Sequence, residues 1–282
     1  MSNVPPSKAD AGAASLLERC VAYTHRRTIQ IFDLHHGIGS SLRPKPLGTG
    51  VLATYRGTEM VLTASHILDS PQVQERGAFT IADGGKQMID LGEFSFVRTA
   101  SGGDRLSDDD VDLAALFLDP DASARLRAGG AFEFTPIEEV VGERSAPANV
   151  RHFIHGYPLA LSVNRPAEKL VQRTSLALFL SPYDGTRGDW PTSGSSIHVD
   201  FDYQPALVAP TTSGTGTVAL PEPQGFSGCG IWHLASPDAA STFEDSALVL
   251  GGIVHRFNSK LKVVRATRIE GLLHMLGAAS PG

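Results

Sequence analysis

Residues 49–65 read TGVLATYRGTEMVLTAS, two apolar, β-branched runs separated by Arg56-Gly57-Thr58. Each run is too short for a helix and rich in strand-forming residues. The stretch predicts strands at 50–55 and 59–64 with Arg56-Gly57-Thr58 as the hairpin loop. The same rhythm extends outward in both directions. Upstream, residues 28–34 (TIQIFDL) alternate as a strand should, and a Gly/Ser/Pro loop, GIGSSLRPKPLG, follows. Downstream, 78–82 and 88–98 are strand candidates, and VDLAALFL follows the acidic run Asp108-Asp109-Asp110. A second half repeats the pattern: VRHFIHG, LVQRTSLALFL, SSIHVDF, TGTVAL, GIWHL, ALVLGGIV and LKVVRAT. Residues 136–150 read as a linker, and 183–223 as long surface loops rich in Gly, Pro, Ser and Thr. Only Arg268–Leu276 has convincing helical spacing, with Ile269, Leu272, Leu273 and Leu276 on one face. Residues 12–22 read as a short helix or turn.

The chain has 282 residues, 41% hydrophobic and 19% charged, with 29 glycines and 18 prolines. It is long enough to bury a core without disulfides or metals. So much turn chemistry argues against a helical bundle and for many short strands. The expected fold is all-β, with a short C-terminal helix. A net charge of −6 with scattered arginines offers no basic stripe for nucleic acid. The two cysteines, Cys20 and Cys229, make no disulfide framework. The polar, Pro/Ala-rich N-terminus has no apolar signal-type stretch, and no run is long enough to span a bilayer. The expectation is a cytoplasmic protein that binds neither nucleic acid nor membrane, with a frayed start.

Three short segments carry chemistry. LTASHIL places His66 just after an apolar strand, DVDLAALFL places Asp112 at the opening of another, and GFSGCGIW places Ser227 between glycines. A serine hydroxyl is a poor nucleophile until a base takes its proton. Histidine is the natural base near neutrality. A carboxylate behind the imidazole selects the tautomer and stabilises the imidazolium. Backbone N–H groups must meet the oxyanion, and Gly225 and Ser227 can supply two of them from one tight turn. Gly228 is expected to leave room for the approach of backbone and substrate. Asp110 rivals Asp112 from the same strand face. Asp112 is preferred because it alone directly precedes L-A-A-L.

Together these segments resemble the chymotrypsin/trypsin-fold serine proteases, and most of all the bacterial intracellular trypsin-like peptidases. The resemblance covers residues 28–276 and rests on T-A-x-H, D-L-A-A-L and G-x-S-G in the order His, Asp, Ser. The spacings, 46 residues from 66 to 112 and 115 from 112 to 227, suit one triad member per segment of a double barrel. HGYP (155–158) resembles the opening of the second barrel, LVLGGIVHRF (248–257) the cleft-lining strand, and RATRIEGLLHML the closing strand and helix. The resemblance implies two antiparallel β-barrels, at 24–140 and 148–282, after a flexible or partly helical segment 1–23. It implies a serine endopeptidase with His66, Asp112 and Ser227 as triad and Gly225 and Ser227 as oxyanion donors. Gln224, Glu222 and His255 would line the substrate site. His255 could also touch the triad aspartate.

Departures from the family pattern carry meaning too. Phe226 stands where zymogen-activated members have an aspartate that pairs with a freed N-terminus, so that route is not expected. Cys229 reads as a small buried hydrophobe. Arg256 and Phe257 sit at positions often small in the family and would narrow the cleft. His35-His36 and the pair His152 and His155 lack the companions of a zinc site, so no metal or cofactor is expected. A protein or peptide substrate is the implied partner. Restraint is expected either from an oxyanion turn at Gly225–Ser227 that is ordered only when substrate or a regulatory protein partner binds, or, in an always-active enzyme, from a narrow pocket restricted by Arg256 and Phe257. The alternative is a catalytically silent trypsin-like fold serving as a scaffold.

Overall fold

The hairpin around Arg56 forms, and it is tighter than the sequence suggests. Tyr55 pairs with Thr58, so the loop is Arg56-Gly57 alone. Both residues adopt positive φ, 48° and 76°, as a two-residue turn matched to strand twist requires. The structure is a computed structural model describing residues 8–36, 42–71, 73, 78–81, 88–92, 94–99, 111–128, 132–137, 151–165, 170–172, 174–185, 198–203, 208–210, 221–234 and 248–279. The expected strand TGTVAL, most of the 183–223 loops, most of the 136–150 linker and Asp110 lie outside the described residues.

The first sheet contains β1 (Thr28–His36), β2 (Leu42–Tyr55), β3 (Thr58–Thr63), β4 (Phe79–Ile81), β5 (Met88–Asp90), β6 (Ser95–Arg98), β7 (Ala114–Phe117) and β8 (Thr135–Pro136). Its order is β5-β4-β1-β2-β3-β7-β6, with β8 parallel to β2. A small hairpin pairs β10 (Val163–Arg165) with β11 (Leu170–Gln172), between β9 (Arg151–Gly156) and β12 (Leu176–Pro182). Then come β13 (His198–Asp202), β14 (Val208–Pro210), β15 (Gly230–Leu234), β16 (Leu248–Asn258) and β17 (Val263–Arg268). The path β13-β17-β16-β15-β9-β12 closes because β12 pairs back to β13, Ser181 opposite Asp202 and Pro182 opposite Phe201. This is a closed six-stranded barrel, with β14 on the outside of β12. The mostly β architecture with a C-terminal helix is consistent with a chymotrypsin-like fold.

Two expectations are corrected. The stretch 88–98, expected as one strand, is two short pieces, and the first sheet runs as a path from β5 to β6, with a second closed ring not shown among the described residues. The physical reason for the break is local. Gly92 takes φ 79°, and its N–H donates to Asp90 Oδ1 at 2.8 Å, an Asx-type turn that interrupts the ladder. The two short pieces then pair with opposite ends of the sheet, β5 with β4 and β6 with β7.

The second correction is helical. A helix spans Lys8–His25, beyond the expected 12–22. Another spans Pro120–Arg127, where only strands and loops were expected. Asp119 caps it by accepting from the Ala122 N–H at 2.7 Å, with Pro120 in the first turn. Asp before Pro is a start signal in the sequence. The C-terminal helix runs Ile269–Ala279. No helix among the described residues is long and apolar enough to cross a membrane.

Three buried clusters organise the chain. One lies in the first sheet, around Ile31, Leu52, Val61 and Leu116. Another fills the barrel, around Ile154, Leu178, Phe226 and Val264. The third joins the halves: Leu16, Leu17 and Cys20 of the N-terminal helix meet Met60 and Leu62, Trp232 and Leu250, and Leu272 and Leu276. Side chains 16, 20 and 24 share one helix face, and Thr24 Oγ1 meets His155 Nδ1 at 2.9 Å on β9.

Candidate active site

β3 ends at Thr63, and the chain turns at once into a 3₁₀ turn, Ser65–Asp69. Ser65, Ile67 and Leu68 are buried there, so the turn is fixed by its apolar neighbours while His66 points outward, its side chain 41% exposed. Asp112 precedes β7 and is 2% exposed. Its Oδ1 accepts the His66 backbone N–H at 3.0 Å, and its Oδ2 meets Nδ1 at 2.6 Å. Burial pushes the Asp112 carboxyl up, but the His66 side-chain hydrogen bond, the nearby His66 charge and the backbone hydrogen bond together bring it below its ordinary value. An ionised carboxylate only accepts. Nδ1 therefore carries a proton, and in the neutral imidazole the lone pair lies on Nε2.

Ser227 lies in a turn held by backbone hydrogen bonds on both sides of it. The Phe226 N–H donates to Pro223 O (2.9 Å), Gly228 N–H to Val254 O (2.7 Å) and Cys229 N–H to Phe226 O (2.8 Å). Among the described residues, the N–H groups of Gly225 and Ser227 donate to no backbone acceptor. Gly225 has φ 96°, and a Cβ there would lie 2.5 Å from Tyr157 O and 2.8 Å from Leu159 N. Gly228 has φ 89°, but its role differs from the expected one. The group pressed against it is the Thr49 carbonyl with the Thr63 hydroxyl, so the missing Cβ makes room for the first sheet and not for substrate.

Direct hydrogen bonds join His66 to Asp112. Ser227 approaches the same region through β2. Its carbonyl accepts the Thr49 N–H at 2.9 Å, and a Cβ on Gly48 would strike the Ile67 side chain while lying 2.9 Å from Ser227 O. Ser227, half-buried, makes no hydrogen bond to His66 among the described residues. Catalytic contacts of this kind are often long until substrate tightens them.

The remaining expected residues fall at several depths. Gln224 and Glu222 are exposed, and Pro223 between them is buried. His255 is 6% exposed and sits at a bulge in β16, between Val254 and Arg256. Its ring lies 5.3 Å from that of His198. Burial, with the His198, Arg265 and His66 charges, outweighs attraction to Asp112 and pushes its pKa down to about 3. It is a neutral neighbour of the Asp112 carboxylate at depth. Phe226 is 1% exposed, its ring against Gly156 and edge-on to Tyr203. Phe257 also packs edge-on to Tyr203, with centroids 5.3 Å apart. Burial pushes the Cys229 thiol up. Among the described residues no group of three or more His, Cys, Asp or Glu could hold a metal.

Two contributors were not found in the sequence. Thr99 exchanges hydrogen bonds with Leu113, its N–H donating to Leu113 O at 3.0 Å and its hydroxyl accepting the Leu113 N–H at 3.1 Å. It also accepts from the Ser65 hydroxyl at 3.3 Å. It thereby ties the neighbours of Asp112 and His66, and no local pattern announces it. Thr49 had a signal: it stands between two glycines, Gly48 and Gly50, inside a strand that gains nothing from glycine.

No family model matches the chain, and no curated protein matches it. Among solved structures, it is similar to neuropsin, a serine protease expressed in the limbic system of mouse brain. That match has 14% identity over 92% of this chain and 96% of the other, with a TM-score of 0.49. It is also similar to a chain from work on aromatic interactions in the coupled folding and binding of the intrinsically disordered Sesbania mosaic virus VPg protein. There the identity is 13% over 88% and 89% of the two chains, with a TM-score of 0.43. At these values neither likeness assigns an activity to this chain.

Proposed function

We propose that the protein is a serine endopeptidase of trypsin-like type, with Ser227 as nucleophile, His66 as base, and Asp112 holding and polarising His66. The observation that carries this reading is the double grip of Asp112 on His66, which leaves Nε2 as the free acceptor at an exposed edge. Ser227 Oγ would bond to the scissile carbonyl carbon while its proton passes to His66 Nε2. The N–H groups of Gly225 and Ser227 would meet the oxyanion. Collapse breaks the C–N bond, and His66 returns the proton to the leaving amine. Water then attacks the acyl-enzyme, giving its proton to His66, and the acid product leaves as Ser227 recovers a proton.

The substrate is a protein or peptide lying along β16, with Gln224 and Glu222 at the exposed rim. Restraint of activity belongs to the same proposal, with a regulatory protein partner as one route to it. The hydrogen-bonded Gly225–Ser227 turn favours control at the cleft, beside Arg256 and Phe257, over control by ordering of the turn. A silent scaffold is not favoured, because a buried carboxylate shaped to one histidine tautomer has no use in a passive surface.

Labelling with a fluorophosphonate probe tests the reading. Modification of Ser227 is expected in the wild-type protein, with loss in Ser227→Ala and slowing by orders of magnitude in His66→Ala. A folded wild-type protein that stays unlabelled and cleaves no peptide in a diverse library would refute it.

A further inference from the structure

The structure assigns Thr49 a role beyond that of a strand residue: we propose that it is the positioning residue that sets the Gly225–Ser227 turn from the first sheet. The proposal rests on the acyl-transfer reading. All of its hydrogen-bonding groups are engaged, and each engagement bears on the site. Its N–H donates to Ser227 O at 2.9 Å. Its hydroxyl donates to Gly225 O at 2.7 Å and accepts the Tyr157 N–H at 3.1 Å. Its carbonyl accepts from the Thr63 hydroxyl at 2.8 Å.

Within Gly225–Ser227, the N–H groups of Gly225 and Ser227 donate to no backbone acceptor among the described residues. Their carbonyls are the two that Thr49 holds. A peptide group is planar, so fixing the Gly225 carbonyl fixes the Gly225–Phe226 peptide plane. That narrows ψ at Gly225, a residue whose φ of 96° is open to swinging because it lacks a side chain. The orientation of the Gly225 N–H follows from this restraint on both sides, with Leu159 donating to the preceding carbonyl, Gln224 O, at 2.7 Å. Thr49 does not touch a reacting atom; it acts through the turn.

The Thr63 bond gives the arrangement its reach. Thr63 ends β3, three residues before His66. The chain Thr63–Thr49–Ser227 therefore links the segment carrying the base to the segment carrying the nucleophile, across the two sheets. Gly228 is the point where this link passes, since any Cβ there would collide with both Thr49 O and Thr63 Oγ1. Serine could replace threonine in these bonds, and valine, nearly the same shape, could not.

The test uses 4-nitrophenyl acetate turnover, fluorophosphonate labelling rate and amide hydrogen exchange on the whole chain. Thr49→Val is expected to lower kcat about 10- to 100-fold with KM within about threefold, the pattern of a loss felt only in the transition state. Labelling should slow in parallel, and Thr49→Ser should recover both to within about threefold of wild type. The Tyr157 amide should lose protection in Thr49→Val and keep it in Thr49→Ser. Should Thr49→Val fail to fold, Thr63→Val removes only the bond to the Thr49 carbonyl and is expected to cost kcat about 3- to 10-fold. Wild-type kcat in Thr49→Val or, if that variant does not fold, in Thr63→Val would overturn the proposal. So would equal damage in Thr49→Val and Thr49→Ser, or a KM rise matching the whole loss. A wild-type protein inert to both probes refutes the hydrolase reading instead. The exchange data then decide the Thr49 tie alone, unchanged Tyr157 protection in Thr49→Val overturning it.

Discussion

Asp112 accepts both the backbone N–H and the Nδ1–H of His66, so the imidazole cannot turn over without giving up a charge-assisted bond at 2.6 Å. Amide in place of carboxylate would offer Nδ1 a donor and favour the wrong tautomer. Asp112→Asn is therefore expected to lower peptidase activity by about four orders of magnitude, and Ser227→Ala or His66→Ala by three to six, roughly. Asp110→Asn should leave turnover close to wild type, and steady-state kinetics on a cleaved library peptide measure all four. If Asp110→Asn abolishes activity and Asp112→Asn does not, the acid is Asp110. The Asp112 value is depressed on folding, so its contribution to stability is full above pH 3.8 and drains away as pH falls through the folded value.

Among the elements, the barrel wall carries an ion pair with a buried arginine and a half-buried aspartate. Arg265 on β17 is 0% exposed and faces Asp200 on β13, its partner in register. Nε donates to Oδ1 at 2.8 Å and Nη2 to Oδ2 at 2.9 Å. The bidentate fit pins the β13–β17 seam, one strand from the seam that completes the ring. Asp200→Ala would take both of these hydrogen bonds from the buried guanidinium, and urea unfolding should register a loss of about 1.5–3 kcal/mol. A change below about 1 kcal/mol would mean that the pair is solvated and does not hold the seam. Among the described residues the first sheet holds the longest ladder, nine paired positions between β1 and β2. Its weak place is the break at Gly92, where β5 and β6 part to opposite ends.

For the whole molecule, the second half carries an unusual burden of buried imidazole. Burial, with nearby His233 and Arg268 charge, pushes His152 down to about 4; burial and Arg268 do the same to His233. The two rings meet edge-on at 4.8 Å, one opposite the other across β9 and β15. His255 lies lower still, at about 3. Each takes up a proton in the unfolded chain near pH 6.5, while the folded chain refuses it until the lower value. Stability is thus intact above pH 6.5 and falls as pH drops toward 4, by up to about 1.4 kcal/mol per pH unit for each histidine. Urea midpoints should decline between pH 7 and pH 4.5, a window above the one that belongs to Asp112. His152→Phe should flatten that decline, and a midpoint constant across this range would contradict the burial argument.

By itself the sequence determined the strand alternation, the C-terminal helix and the three chemical segments with His66, Asp112 and Ser227. These are local facts: apolar period, turn residues, and polar side chains placed after apolar strands. Asp119-Pro120 is an equally local signal, a helix start embedded among strand signals. The full length of the N-terminal helix was less readable, because its apolar stripe gains its meaning from the barrel and the β3 residues it covers. Tertiary structure alone decided that the second sheet closes, since closure depends on Ser181 and Pro182 finding Asp202 and Phe201 across a gap in sequence. It alone decided that Gly228 makes room for Thr49, and that His255 lies buried near Asp112. Contacts between residues far apart in the chain leave no periodicity behind, so Thr99 becomes visible only once the sheets are packed, and Thr49, marked in the sequence by its flanking glycines alone, gains its partners only there.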